Sequence, residues 1–370
     1  MKSIGIMTFS SSLSNYGQIL QAYALQSYLR KQGYDAFLIH YDPWYFFELN
    51  RERPLGYMKF LIKNLPVIRK FLKGYIYQEK DLCRFSQFKS QHLIYGDRVY
   101  HLLKELKVNP PVADVYLTGS DQVWGRCVPN MEPYMFNFGN IHIPRIAYAA
   151  SFGRTIVSKK EIKYASSLLQ RYKAVGVREL SGIDVCKQLG YDNARFTPDP
   201  TILLNKEEWM EVSGNCNPFK TEKKKIFIYS CYLPKGSLLE SLKHIGGDME
   251  IIISDIINPD PTYARLSIEE WLGAIQNADY IITNSFHATM FSLYFNRPFI
   301  TFKYKKGEGD QMNTRLTSIL SQTGLTERFL SLSEISDSRC ILDKPINWDF
   351  VNQKILSLQK VGIDFLRETL

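Results

Sequence analysis

The chain has 370 residues, of which 45% are hydrophobic, 14% aromatic and 22% charged, and its formal net charge is +9. This balance excludes a disordered or fibrous polymer, and the length suits two domains at roughly 150 residues each. The positive charge points to anionic partners, but the chain has no zinc-finger spacing, no RRM aromatic motif and no long Lys/Arg arm, which argues against nucleic acid.

Residues 3–9 read as a strand that runs into a helix over Asn15 to Gln32, with Ile19, Leu20, Tyr23, Ala24, Leu25, Tyr28 and Leu29 on its apolar stripe and Gly33 as its stop. A strand at Ala36 to His40 completes a strand–helix–strand unit, which requires a parallel sheet. Residues 51–80 mix Arg53, Lys59, Lys63, Arg69, Lys70 and Lys73 with apolar positions and are interrupted by Pro66. They read as a helical insertion, with contact at an anionic inner membrane surface as the alternative. Val112 to Leu117, Arg145 to Ala149 and Ala174 to Val177 are further strands, followed by TGSD, SFG and Arg178 respectively. Helices are expected at Lys160 to Leu169 and Ser181 to Leu189, and Arg195 to Thr197 leads into Pro198-Asp199-Pro200.

The turn-rich, charged stretch 215–225 is the expected linker. The boundaries that follow are an N-terminal Rossmann-like domain at 1–214, a C-terminal one at 226–346, and a final helix at 347–370 packing across both. In the second domain, Ile226 to Tyr229, Met249 to Ile253, Asp279 to Thr283 and Pro298 to Phe302 read as strands, with helices at Gly236 to His244, at Ser267 to Gln276 and after His287. The fold class is therefore α/β with two parallel sheets.

The most informative segment is YIITNSFHATMFSLYFNRPFI, from Tyr280 to Ile300, where a buried strand passes through Thr283-Asn284-Ser285 into a helix. His287 sits in that turn, at the edge of an open sheet where such folds bind ligands, and the N–H groups of a starting helix favour anions. A capped core histidine is the competing reading. Arg178, Arg315, Lys303, Lys305 and Lys306 also lie beyond strand ends, and arginine's planar fork suits phosphate or carboxylate. The chain has no Walker loop, GxGxxG, GxSxG, HExxH or DxD dyad, so a nicotinamide enzyme, a serine hydrolase and a zincin lose ground. The same absences make metal-free catalysis the expectation, with no cofactor, and the six cysteines show no metal-ligand or redox spacing and read as reduced thiols. No apolar leader or membrane-length run is visible, which makes the cytoplasm the expected location.

SNYGQILQAYAL, LTGSDQVW, YAASFG, VREL with SGIDVCKQLG, PDPTILL, TNSFHATMFSLYFNRPF and MNTRLTSIL together resemble the polysaccharide pyruvyl transferase family, in order and over nearly the whole chain. The resemblance implies a two-domain, glycosyltransferase B-like architecture with the sheets facing a central cleft. It also implies transfer of pyruvyl from phosphoenolpyruvate to two hydroxyls of a sugar or lipid-linked oligosaccharide, forming a cyclic ketal and releasing phosphate. On that basis His287 and Arg178 are the catalytic candidates, and Ser285, Asn313, Arg315, Lys303 and Lys305 join them on the phosphoenolpyruvate side. Asn15, Tyr16, Gly17, Gln21, Ser120, Asp121, Gln122, Trp124 and Ser151 fall on the acceptor side. One common form of the motif carries an arginine two residues before the histidine. Here that position is Ser285, and Arg315 is the expected substitute. Trp124 has a core alternative and Asp199 reads as structural. A glycosyltransferase using a nucleotide sugar and a non-catalytic binder of anionic sugars are the rival functions.

Overall fold

A computed structural model describes residues 1–12, 14–43, 84–125, 131–156, 159–231, 244–245, 247–255, 262–304 and 310–370. The basic insertion expected at 51–80, most of the helix expected at Gly236 to His244, and Lys305 and Lys306 lie outside these residues.

The chain divides into two compact units. The first comprises Met1–Leu13, Gln18–Leu203 and Val361–Leu370. Its seven strands are β1 (Ser3–Met7), β2 (Asp35–Tyr41), β3 (Tyr95–Tyr100), β4 (Val115–Thr118), β5 (Arg145–Ala150), β6 (Tyr172–Val177) and β7 (Arg195–Phe196). They form one sheet in the order β3-β2-β1-β4-β5-β6-β7, with every neighbouring pair parallel. β4 and β5 are buried along their whole length, as expected of central strands covered on both faces. The strand order reverses at β1, so the loops after β1 and β4 flank a topological switch point.

The second unit comprises Ser14–Gly17 and Leu204–Lys360. It holds β8 (Lys225–Ser230), β9 (Glu250–Asp255), β10 (Tyr280–Thr283), β11 (Phe299–Phe302) and β12 (Phe329–Leu330). All are parallel, in the order β12-β11-β10-β8-β9. Here the order reverses between β8 and β10. Both units are thus doubly wound α/β folds. No described helix is long and apolar enough to cross a membrane.

The boundaries differ from those expected. Residues 204–225 group with the second unit, not with the first or as a linker. The helix Lys206–Ser213 explains this. Asn205 caps it reciprocally with Glu208, at 2.8 and 2.6 Å. Trp209 is wholly buried, edge-on to Phe291 at 4.8 Å, and Ser213 donates to Gln276 at 2.5 Å. Within 215–225, Asn277 donates to the Cys216 carbonyl at 3.3 Å, and the N–H groups of Lys220 and Thr221 both donate to Glu250 at 2.8 Å. The polar stretch is a turn held within the second unit.

The final helix, Trp348–Thr369, contributes its residues up to Lys360 to the second unit and those from Val361 to the first. In the first unit Phe365 packs on Tyr148, Lys173 reaches the Thr369 carbonyl at 2.7 Å, and a side chain at Gly362 would collide with the Tyr148 hydroxyl.

Candidate active site

The switch point of the second sheet is built from the ends of β8 and β10. The Asn284 carboxamide oxygen accepts from the Ser230 hydroxyl and from the Cys231 N–H, each at 2.9 Å, and so ties the two strand ends together. Ser285 is the N-cap of the helix Phe286–Tyr294, with extended backbone and its hydroxyl accepting from the Ala288 N–H at 3.4 Å. Thr289 adds a hydroxyl bond to the Ser285 carbonyl at 2.9 Å. Every residue of this helix is buried, and its Thr289 and Ser292 hydroxyls are satisfied by the carbonyls one turn back.

His287 lies in the helix's first turn and is 7% exposed. Phe286 meets it edge-on at 5.3 Å, and the Arg315 guanidinium sits 5.9 Å from the Phe286 ring centre on the helix Asp310–Thr323. Arg315 is itself buried. The Cys231 thiol lies against the hydroxyls of Tyr304 and Ser285; burial pushes the thiol up, while those hydroxyls and the Arg315 charge pull it down. Burial also raises the Tyr304 hydroxyl, reinforced by Cys231. Both groups therefore keep their protons at neutral pH. An arginine, an imidazole, the first N–H groups of a helix and two protonated donors form a setting suited to a small anion.

Several donor-side expectations change. Asn313 accepts from the Tyr304 N–H at 3.0 Å and donates to the Tyr304 carbonyl at 3.4 Å, so it fixes Tyr304 rather than presenting its amide to a ligand. Lys303 is exposed and lies over Phe329 at 5.3 Å, on the β12 side. Ser285 is occupied as a cap. Among the described residues, Arg315 is the cation of that group seated beside the histidine turn.

Arg178 belongs to the first unit and to a different network. Its guanidinium bonds Asp199 at 3.0 Å and Glu179 at 3.1 Å, lies 3.4 Å from the Ser120 hydroxyl, and pairs with Asp121 at 3.7 Å. Burial alone would favour the neutral guanidine. The Glu179, Asp199 and Asp121 carboxylates outweigh it and hold the group well above its ordinary value. This guanidinium is matched by three carboxylates within the first unit. Asp199 also accepts from the Thr201 N–H and hydroxyl, at 3.1 and 2.9 Å, which gives it the structural place read from its flanking prolines.

The acceptor-side residues separate into four groups. Ser120, Asp121 and Ser151 surround this network at the carboxyl ends of β4 and β5. Ser120 donates to Asp199 at 3.1 Å and Ser151 to Glu179 at 2.8 Å, while Asp121 adopts φ 75° and bridges Ala150. Trp124 and Gln21 are core residues with no exposed surface. Trp124 packs on Phe152 at 5.1 Å and donates to the Tyr134 carbonyl at 3.2 Å; Gln21 bonds the Thr8 hydroxyl at 2.9 Å. Neither offers a sugar-stacking face. Gln122 is partly buried, beside Gly153, where a side chain would collide with it.

Asn15, Tyr16 and Gly17 group with the second unit. Tyr16 is stacked on Trp271 at 5.0 Å and 11°, and its hydroxyl donates to the Leu266 carbonyl at 2.7 Å, so its ring is packed rather than presented to an acceptor. Sequence reasoning missed Cys231, Tyr304 and Glu179. Cys231 directly follows β8 and Tyr304 lies two residues beyond the end of β11, and that position past a strand end was the available signal.

The model of the polysaccharide pyruvyl transferase family matches residues 15–306. The chain belongs to this family. Comparison with curated proteins returns no significant match. Among solved structures, the fold is similar to UDP-GlcNAc 2-epimerase from Methanocaldococcus jannaschii, at 13% identity and TM-score 0.52 over 99% of each chain. A complex of the same enzyme with UDP-GlcNAc and UDP gives 12% identity and TM-score 0.52 over 97% of this chain and 100% of that one. The S. aureus MnaA–UDP structure gives 9% identity and TM-score 0.50 over 98% and 91%. At these identities the likeness concerns the fold alone: two doubly wound, Rossmann-like α/β units of the glycosyltransferase B-like kind. For this pyruvyl transferase family member, the histidine turn at the second switch point is the candidate active site.

Proposed function

We propose that this transferase moves pyruvyl from phosphoenolpyruvate to two hydroxyls of a sugar in a surface polysaccharide precursor, on free or lipid-linked acceptor, before export. The observation carrying this reading is that the family's histidine motif falls at a topological switch point with a buried arginine beside it.

The chemistry balances as follows. A proton added to the methylene carbon of phosphoenolpyruvate gives a methyl group and leaves C2 as an oxocarbenium. One sugar hydroxyl adds to C2 and loses its proton. The C2–O bond to phosphate then breaks, and the second hydroxyl adds and loses its proton, closing the ketal. One released proton replaces that used on the methylene, and the other leaves with phosphate. His287 serves as the acid at the methylene or at the departing phosphate. Arg315 and the starting helix stabilise the charge that builds on phosphate. No metal or cofactor is required by this scheme.

Incubation in heavy water with phosphoenolpyruvate and acceptor is expected to place one deuterium in each product methyl group, read by mass spectrometry and proton NMR. Consumption of a nucleotide sugar instead, with phosphoenolpyruvate untouched, would establish a glycosyltransferase. Binding of anionic sugars with no turnover of either would establish a binder.

A further inference from the structure

Gly17 lies directly against His287. A side chain built at Gly17 would overlap the imidazole at Nδ1, Cγ and Cε1, a collision that no rotation at position 17 relieves because the offending atom is Cβ itself. The position is buried and its φ is not among the positive values, so backbone freedom does not account for a glycine there. Its lack of a side chain is what lets the ring sit where it does.

The segment carrying Gly17 is anchored independently of the histidine. Tyr16 is 6% exposed, stacks on Trp271 at 5.0 Å, meets Tyr229 edge-on at 5.7 Å and bonds the Leu266 carbonyl at 2.7 Å. Trp271 packs in turn against Phe291 at 5.6 Å, on the histidine's own helix. Ser14–Gly17 is thus fastened to the same aromatic core that carries His287, although the chain on both sides of it belongs to the first unit. A ring held by its helix on one side and by a fastened backbone on the other has little freedom about its side-chain torsions.

We propose that Gly17 is a positioning residue for His287, and that Ser14–Gly17 acts as a strap seating the imidazole instead of as an acceptor-binding loop. The proposal rests on the reading of His287 as the proton-transfer group. It expects Gly17 to act on rate through the ring and not through donor binding.

The test is a double-mutant cycle with Gly17→Ala and His287→Ala. Gly17→Ala alone is expected to lower kcat by about a hundredfold, the scale of an ångström's misplacement, with the phosphoenolpyruvate KM nearly unchanged. It should also lower Tm and shift the imidazole ¹⁵N resonances of His287. In the His287→Ala background, where the ring is gone, adding Gly17→Ala should change neither residual rate nor Tm. Equal losses in both backgrounds, or a normal kcat and unshifted imidazole in the single variant, would overturn the proposal. If Gly17→Ala fails to fold, Tyr16→Phe, which keeps the stack and removes the Leu266 bond, should still lower kcat at constant KM and shift the same resonances. An unchanged kcat and spectrum there would overturn the strap. If the wild type consumes no phosphoenolpyruvate, the functional reading fails, while the resonances and the Tm cycle still decide whether Gly17 seats the ring.

Discussion

His287→Ala is expected to lower kcat for pyruvyl transfer by about 10²- to 10⁴-fold while acceptor affinity stays within a few-fold of wild type. The range is that of a positioned proton-transfer group removed from a transition state. The split between rate and affinity follows from the site. The histidine is 93% buried, on a helix whose other residues are core, and Ser285 caps that helix without help from the imidazole. Removing the ring therefore leaves strand ends, cap and Arg315 in place. Steady-state kinetics with phosphate release and isothermal titration with acceptor measure both quantities. An unaltered rate of phosphate release would remove His287 from the reaction.

The second large effect separates Arg178 from Arg315. Arg178→Met should cost about 3–5 kcal/mol of stability, because it leaves Asp199, Glu179 and Asp121 buried around a vanished charge. Urea unfolding should show this loss directly, and any fall in activity should follow the folded fraction. Arg315→Met should behave in the opposite way. Its guanidinium stands over Phe286 beside the histidine turn, and its loss is expected to reduce kcat by about 10²- to 10³-fold with little effect on the unfolding midpoint. Arg315→Lys should recover only part of that rate, since a point charge does not reproduce a planar fork. If Arg178→Met is stable but inactive and Arg315→Met is active, the donor site has been placed on the wrong arginine.

How far the sequence was legible depended on the range of the interactions concerned. Strands such as β1, β5 and β10 and the helices Tyr16–Lys31 and Lys159–Leu169 were readable because apolar spacing and turn residues are local properties. β3, with the sequence YGDRVY, was not. It is an edge strand with three consecutive exposed residues, and it lacks the apolar signal of the buried strands. β12 has only two residues and owes its place to pairing with β11.

The sequence by itself determined the alternating α/β character, the polar turns at the strand ends, the N-cap before His287 and, through the joint motifs, the family. The tertiary structure alone decided which of those polar residues meet. It paired Arg178 with Asp199 rather than with an anion site, placed Trp124 and Gln21 in the core, turned Asn313 onto Tyr304, and brought Tyr16 to a carbonyl 250 residues away. The physical reason is the same in each case. Periodicity and capping are set by neighbours within a few residues, whereas the partner of a buried charge, or the ring that a glycine must make room for, is set by chain segments that only the assembled sheets bring together.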